Sequence, residues 1–193
     1  MRRSLLLPIF LVPFLTHGQS GAVRQHHDAF IPDTIVGGVL LCDTTSAISH
    51  LGRIRYDDLV PLGPDGLPRA HFHNKDKTEI LTLYFHPGTL ENQYAEANIS
   101  RSTKEKVQAS LPLMHFTTGR GINLGMSEAE VLRALGTSGK HTGTTKGRSI
   151  LEYSLQESDS PAFLARFNYY RYFATFTFEQ GKLVNYRFGF EQP

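Results

Sequence analysis

Two segments of the chain share one pattern of polar, apolar and glycine positions. In the second of them, Ser127 stands before an apolar stripe, Glu130 follows three residues later, and Gly136 closes the run. Ser and Glu at this spacing are typical of a helix N-terminal capping box, and glycine is typical of a helix end. The stripe repeats at helical spacing through Val131, Leu132 and Leu135. The pattern predicts a two-turn helix that packs one face on a core.

The same pattern occurs 84 residues earlier, in residues 37–52. Asp43 occupies the capping position, Gly52 the terminal glycine, and Cys42 the position of Met126. A second correspondence, at an offset of 93, relates residues 83–92 to 176–185, and both segments look like a strand, a glycine turn and a returning strand. The two correspondences predict that the chain contains a tandem duplication.

Alternating hydrophobicity predicts several strands between and after these motifs. The predicted strands cover residues 53–61, 69–74, 148–155, 162–169 and two alternating runs at 173–178 and 183–190. Alternation gives each strand one apolar side for a helix and one mixed side. We therefore predict an α+β fold of two tandem units, each a short helix or helix pair packed on a roughly four-stranded antiparallel sheet.

The first residues have the layout of a secretory signal peptide. Arg2 and Arg3 precede an apolar run of about eleven residues with two prolines, which is too short to span a bilayer as a helix. We expect cleavage after Gly18, or as late as Ala22, and export as a soluble periplasmic or extracellular protein. The predicted organisation is a signal peptide (1–18), a flexible N-terminal segment (19–32), a first unit (33–98), a linker (99–118) and a second unit (119–193).

The second segment resembles one unit of the beta-lactamase-inhibitor-protein-like (BLIP-like) fold. The resemblance rests on residues 125–136, a Tyr153-bearing strand and residues 176–184. The small outer-membrane assembly lipoproteins of the SmpA/OmlA type share that fold. The resemblance implies a tandem pair of units with a concave sheet surface that holds another protein. This chain lacks the cysteines that cross-link the inhibitors and the lipidated Cys of the lipoproteins, so the resemblance implies architecture and leaves the partner open.

Composition excludes several classes of protein. The single Cys excludes an intrachain disulfide framework, and apolar residues at 40% are enough for a core. Removal of Arg2 and Arg3 with the predicted signal leaves 18 Lys+Arg against 18 Asp+Glu, a formal net charge of zero. Such a chain has no broad basic field for nucleic acid.

Candidate chemistry is sparse. His71 and His73 lie two residues apart on a predicted strand and His86 begins the next turn, so the three are weak candidates for metal ligands. Cys42 is a possible nucleophile, but its correspondence with Met126 favours packing. No sequence motif of a hydrolase or a phosphate loop is present. We therefore expect no cofactor and no enzymatic activity.

The most informative surface candidate is rich in tyrosine and arginine, which anchor many protein interfaces. The predicted partner-binding residues are Tyr169, Tyr170, Arg171, Tyr172, Tyr186 and Arg187. The alternative is that most of these rings fill the core. The leading hypothesis is an exported non-enzymatic protein-binding module that contacts another envelope or extracellular protein. The alternatives are an envelope assembly or scaffolding component and a metal-dependent hydrolase that uses the histidines.

Overall fold

A computed structural model describes residues 29–59, 67–86, 91–101, 106–145 and 147–191. The predicted signal peptide and most of the predicted N-terminal segment lie outside these residues. The fold is α+β, as predicted, and the described residues form three α-helices, a two-stranded hairpin and one large sheet. The helices are α1 (Thr44–Leu51), α2 (Glu128–Leu135) and α3 (Pro161–Phe167). None of the described helices is long and apolar enough to cross a membrane.

Eight strands form the large sheet. They are β3 (Arg69–His73), β4 (Ile80–Phe85), β5 (Tyr94–Ser100), β6 (Ala109–Ser110), β7 (Lys140–Thr145), β8 (Arg148–Gln156), β9 (Arg171–Glu179) and β10 (Lys182–Glu191). The separate hairpin pairs β1 (Ile35–Val36) with β2 (Val39–Leu40). In space the order is β6-β3-β4-β5-β10-β9-β8-β7, and only the β3–β6 pair is parallel. The pairing of β5 with β10, which we call the seam, joins strands from the two ends of the chain.

Helices α1 and α2 begin and end as their sequences predict. The Asp43 carboxylate accepts the Ser46 N–H at 2.6 Å, and the Ser127 hydroxyl accepts the Glu130 N–H at 3.4 Å. At the C-terminal end of each helix stands a glycine with positive φ, 78° at Gly52 and 95° at Gly136. Glycine adopts this backbone without the steric cost that a Cβ brings.

Two predicted strands are wrong. Residues 162–169 lie mostly in α3, where Pro161 occupies the first turn and Asn168 ends the helix with φ 59°. Phe163, Leu164 and Phe167 fit a helical stripe as well as a strand, and the proline favours the helix. The described part of residues 53–61 forms a short 3-10 helix, Tyr56–Asp58, in place of a strand.

Two parts of the predicted linker belong to the sheet. Ile99 and Ser100 are the last residues of β5, and β6 pairs with β3 at its outer edge. The edge strand β7 was not predicted, because its sequence, Lys-His-Thr-Gly-Thr-Thr, has no apolar alternation. An edge strand with one pairing neighbour does not need the buried face that creates such alternation.

One face of the sheet is covered by the helices and holds the core. The largest side chains that are completely buried there include Phe72, Leu81, Leu83, Tyr172, Phe178, Tyr186, Phe188 and Phe190. The opposite face, which we call the open face, carries the alternate residues of the same strands. It is rich in charged and polar side chains, and this face positions the candidate site described next.

Candidate functional site: the open face of the sheet

The sheet divides the predicted partner-binding residues between its two faces. Tyr172 and Tyr186 lie on the covered face with no exposed surface. The Tyr172 hydroxyl donates to the Asp33 carbonyl at 2.5 Å, and the Tyr186 hydroxyl donates to the Phe116 carbonyl at 2.5 Å. Burial raises the pKa of both phenols well above the ordinary value. These two tyrosines belong to the core and are not on the surface that a partner meets.

The other four predicted residues are at least partly exposed. Tyr169 and Tyr170 form the loop between α3 and β9, and Tyr170 is 41% exposed. The Tyr169 ring stacks on Phe190, with 5.1 Å between centroids, so this tyrosine is partly a core residue. On the open face, the Arg171 Nη1 atom donates to the Glu191 carboxylate at 2.9 Å across the β9–β10 pair.

Arg187 is the centre of a cluster at the seam. Its Nε and Nη2 atoms donate to Oε2 of Glu96 on β5, at 2.9 and 2.6 Å. The guanidinium carbon lies 4.6 Å from the Tyr84 ring centroid and 5.8 Å from that of Phe173. We call Tyr84, Glu96, Phe173 and Arg187 the seam cluster. Planar stacking and a forked ion pair hold the guanidinium in one orientation.

Glu96 is buried although it lies on the open face. Its side chain is 5% exposed, and its second oxygen, Oε1, lies 2.8 Å from Nε2 of His86. Gly189 is directly opposite Glu96 in the register, and a Cβ there would lie 2.4 Å from the Ala95 carbonyl oxygen. The glycine thus allows β5 and β10 to approach closely. Removal of either partner would leave the buried Glu96 carboxylate less well compensated, so the contacts of Glu96 stabilise the fold together.

The strand register aligns the open-face residues in rows. One row carries Thr82, Asn98, Arg187, Thr175 and Glu152, and the next carries Tyr84, Glu96, Gly189, Phe173 and Ser154. The cross-strand neighbours of Phe173 are therefore a glycine and a serine, which are small and cover little of its ring, and Phe173 is partly exposed. Sequence reasoning missed Phe173 as a site residue, although alternation from the buried Tyr172 places it on the opposite face.

A polar groove of about 560 Å³ extends from Phe173 toward the outer strands of the sheet. Lys140 and Glu152 lie on one side of Phe173, and the Arg171–Glu191 ion pair lies on the other. Positive and negative groups alternate along this groove. The arrangement offers an aromatic floor with hydrogen-bond donors and acceptors at the rim, which suits recognition of another polar surface.

The structure separates the three histidines. His71 and His73 share the open face of β3, and the His71 Nδ1 atom lies 2.9 Å from the Thr82 hydroxyl. His86 follows the far end of β4, four residues from the partner of His71, or roughly 13 Å along the strand. Among the described residues, no group of three His, Cys, Asp or Glu side chains could hold a metal ion.

Cys42 is a poor nucleophile in this fold. It is partly buried beside the core, and its thiol is hydrogen-bonded to the Tyr169 side chain. Burial raises the pKa of the thiol to about 12, an effect that the hydrogen bond from Tyr169 only partly offsets. The reactive thiolate is therefore scarce at neutral pH. The packing interpretation agrees with this environment.

Comparison with known proteins adds no relative. No protein-family model, curated protein or solved structure matches the chain.

Proposed function

We propose that the chain is an exported, non-enzymatic protein-binding module built from two tandem helix-plus-sheet units, with the open face as its binding surface. The observation that carries the proposal is the seam cluster, in which the partly exposed Phe173 and Arg187 lie on the sheet face opposite the one that packs against the described helices. Aromatic and arginine side chains in a central position are typical anchors of protein interfaces. The resemblance to the BLIP-like inhibitors supports the same use of a sheet face.

Equivalent contacts support the tandem arrangement. Helices α1 and α2 are both eight residues long and start 84 residues apart. In each case the residue before the N-cap, Cys42 or Met126, forms a backbone hydrogen bond with the last strand of its own half. The Cys42 N–H donates to the Tyr94 carbonyl of β5, and the Met126 carbonyl accepts from the Leu183 N–H of β10, both at 2.8 Å. Each half contributes three consecutive strands, β3-β4-β5 and β8-β9-β10. The last strand of each set, β5 or β10, lies at the seam, so the order of the second set is the reverse of the first.

A capture experiment with matched variants tests the binding surface. The mature chain, immobilised, is exposed to the envelope fraction of its own organism, and retained proteins are identified by mass spectrometry. Phe173→Ala and Tyr170→Ala remove two accessible rings near the proposed surface, while Met114→Ala removes a side chain that is 50% exposed outside the sheet. Circular dichroism and thermal melting establish that each variant is folded.

The proposal expects one partner to be retained by the unmodified chain and Met114→Ala, and lost with the two ring variants. Equal retention by all four proteins contradicts it. Export is tested separately by fusing residues 1–22 to a reporter enzyme that is active only outside the cytoplasm. An inactive fusion contradicts the proposed localisation.

A further inference from the structure

A second groove lies at the end of the open face where Gly147 and the β9–β10 turn meet the end of β5. It has a volume of about 620 Å³, and its charged lining residues are Arg101, Arg148, Lys182 and Glu179. We call the three cations the turn-end cluster. Each comes from a different segment: Arg101 follows β5, Arg148 begins β8 and Lys182 begins β10.

The register explains why these charges meet. Glu179 on β9 is paired with Arg148 on one side and with Lys182 on the other. All four side chains are exposed. Glu130 on α2 also lies near Lys182, since the Lys182 charge contributes to the lowered pKa of Glu130 after the Ser127 hydrogen bonds. The groove itself holds three cations against one carboxylate.

We propose that the turn-end cluster receives an acidic segment of the protein partner, so that the partner contributes carboxylates at this end of the open face. The proposal rests on the proposed function and specifies the chemistry of the partner. A groove that concentrates charge of one sign attracts the opposite charge and speeds encounter. Arginine also binds carboxylate with two parallel hydrogen bonds, which fixes orientation.

Charge favours a protein segment over other anionic partners. Nucleic-acid binding needs many phosphate contacts, and the predicted mature chain has a formal net charge of zero. Adhesion to an anionic membrane needs a cluster of about 4–8 basic residues. Three cations around one groove match the few carboxylates of a single acidic loop.

A peptide probe tests the cluster without the partner. A fluorescently labelled hexaglutamate peptide is titrated with the folded chain at low and at physiological salt, and binding is followed by fluorescence anisotropy. The triple variant Arg101→Gln, Arg148→Gln, Lys182→Gln removes the cluster. The control Lys75→Gln, Arg120→Gln, Arg133→Gln removes three exposed cations elsewhere and changes the net charge equally.

We expect the cluster variant to bind the peptide roughly tenfold more weakly, and the control to change by less than about twofold. Binding should also weaken as salt rises. Equal losses in the two variants overturn the proposal, as does equally cluster-dependent binding to vesicles of phosphatidylserine. If the ring variants lose the captured partner while the cluster variant keeps both partner and peptide, this inference fails and the proposed function stands. If no partner is captured but the peptide result holds, the proposed function fails, and what stands is that the turn-end cluster binds acidic peptide.

Discussion

Successive residues of strands β9 and β10 lie on opposite faces of the sheet, and the two faces have different roles. On the covered face, Phe178 and Phe188 pack under the helices with almost no exposed surface. On the open face, Phe173 and Arg187 keep part of their surface accessible and contact each other. Which face an aromatic residue of these strands lies on, and so whether it belongs to the core or to the candidate site, depends on whether it is an even or an odd number of residues from a buried position. Truncation of matched rings on the two faces tests whether that division holds.

The largest effect is expected from truncating matched rings on the two faces. Phe178→Ala should lower the free energy of unfolding by about 3–5 kcal/mol, because it removes a fully buried ring and leaves a cavity. Phe173→Ala on the same strand should lower it by about 1 kcal/mol, since its ring is only partly buried. Urea unfolding followed by circular dichroism measures both. Similar losses for the two variants would remove the distinction between core and site.

The seam cluster should show that part of the open face also stabilises the fold. Arg187→Met leaves the buried Glu96 carboxylate without its forked partner and should reduce the free energy of unfolding by about 2 kcal/mol. This figure is below that for a fully buried pair because the Arg187 side chain is 34% exposed. The double variant Glu96→Gln, Arg187→Met should lose less than the sum of the single variants. Strict additivity in urea titrations would contradict coupling across the seam.

The third comparison concerns hydroxyl groups. Tyr172→Phe removes the donor to the buried Asp33 carbonyl and should cost about 1–2 kcal/mol of unfolding free energy. Tyr56→Phe, at a tyrosine that is 53% exposed, should change it by less than about 0.5 kcal/mol. The same urea assay measures both variants. A larger loss for Tyr56→Phe would argue against the buried role assigned to Tyr172.

Helices α1 and α2 were predicted correctly because their caps and apolar stripes lie within a few consecutive residues. The motif from Ser127 to Gly136 specifies a start, an apolar stripe and an end, and α2 follows it. The short segment after Pro161 contains both helical and alternating apolar positions, and the proline and the packing of Phe163 and Phe167 against β9 and β10 together favour α3. The spacing of the apolar residues alone could not make that choice.

The candidate site was harder to predict because it depends on pairing between distant strands. Arg187 could be named from composition, but its partner Glu96 is 91 residues away and is brought to it by the β5–β10 pairing. Tyr172 and Tyr186 were named for their residue type, and the register then placed them on the covered face. A choice between the two faces needs one reference position of known burial, which residue type does not supply.

The smallest effect is expected at the exposed end of α2. The Ser127 N–H and hydroxyl both donate to the Glu130 carboxylate at 2.7 Å. These hydrogen bonds lower the pKa of Glu130, with smaller contributions from the charges of Lys182 and Arg133. Because the pKa in the folded state lies below the unfolded value of about 4.3, this stabilisation is present above that pH and is lost as the pH falls through the folded pKa.

Glu130→Gln should therefore be less stable than the unmodified chain at neutral pH, and the difference should shrink steadily below about pH 4. Urea unfolding at a series of pH values measures it. The α1 equivalent, Ser46, carries no carboxylate, so Ser46→Ala supplies a control whose effect should not change over the same acidic range. A difference for Glu130→Gln that stayed constant with pH would show that the box acts through packing and not through its charge.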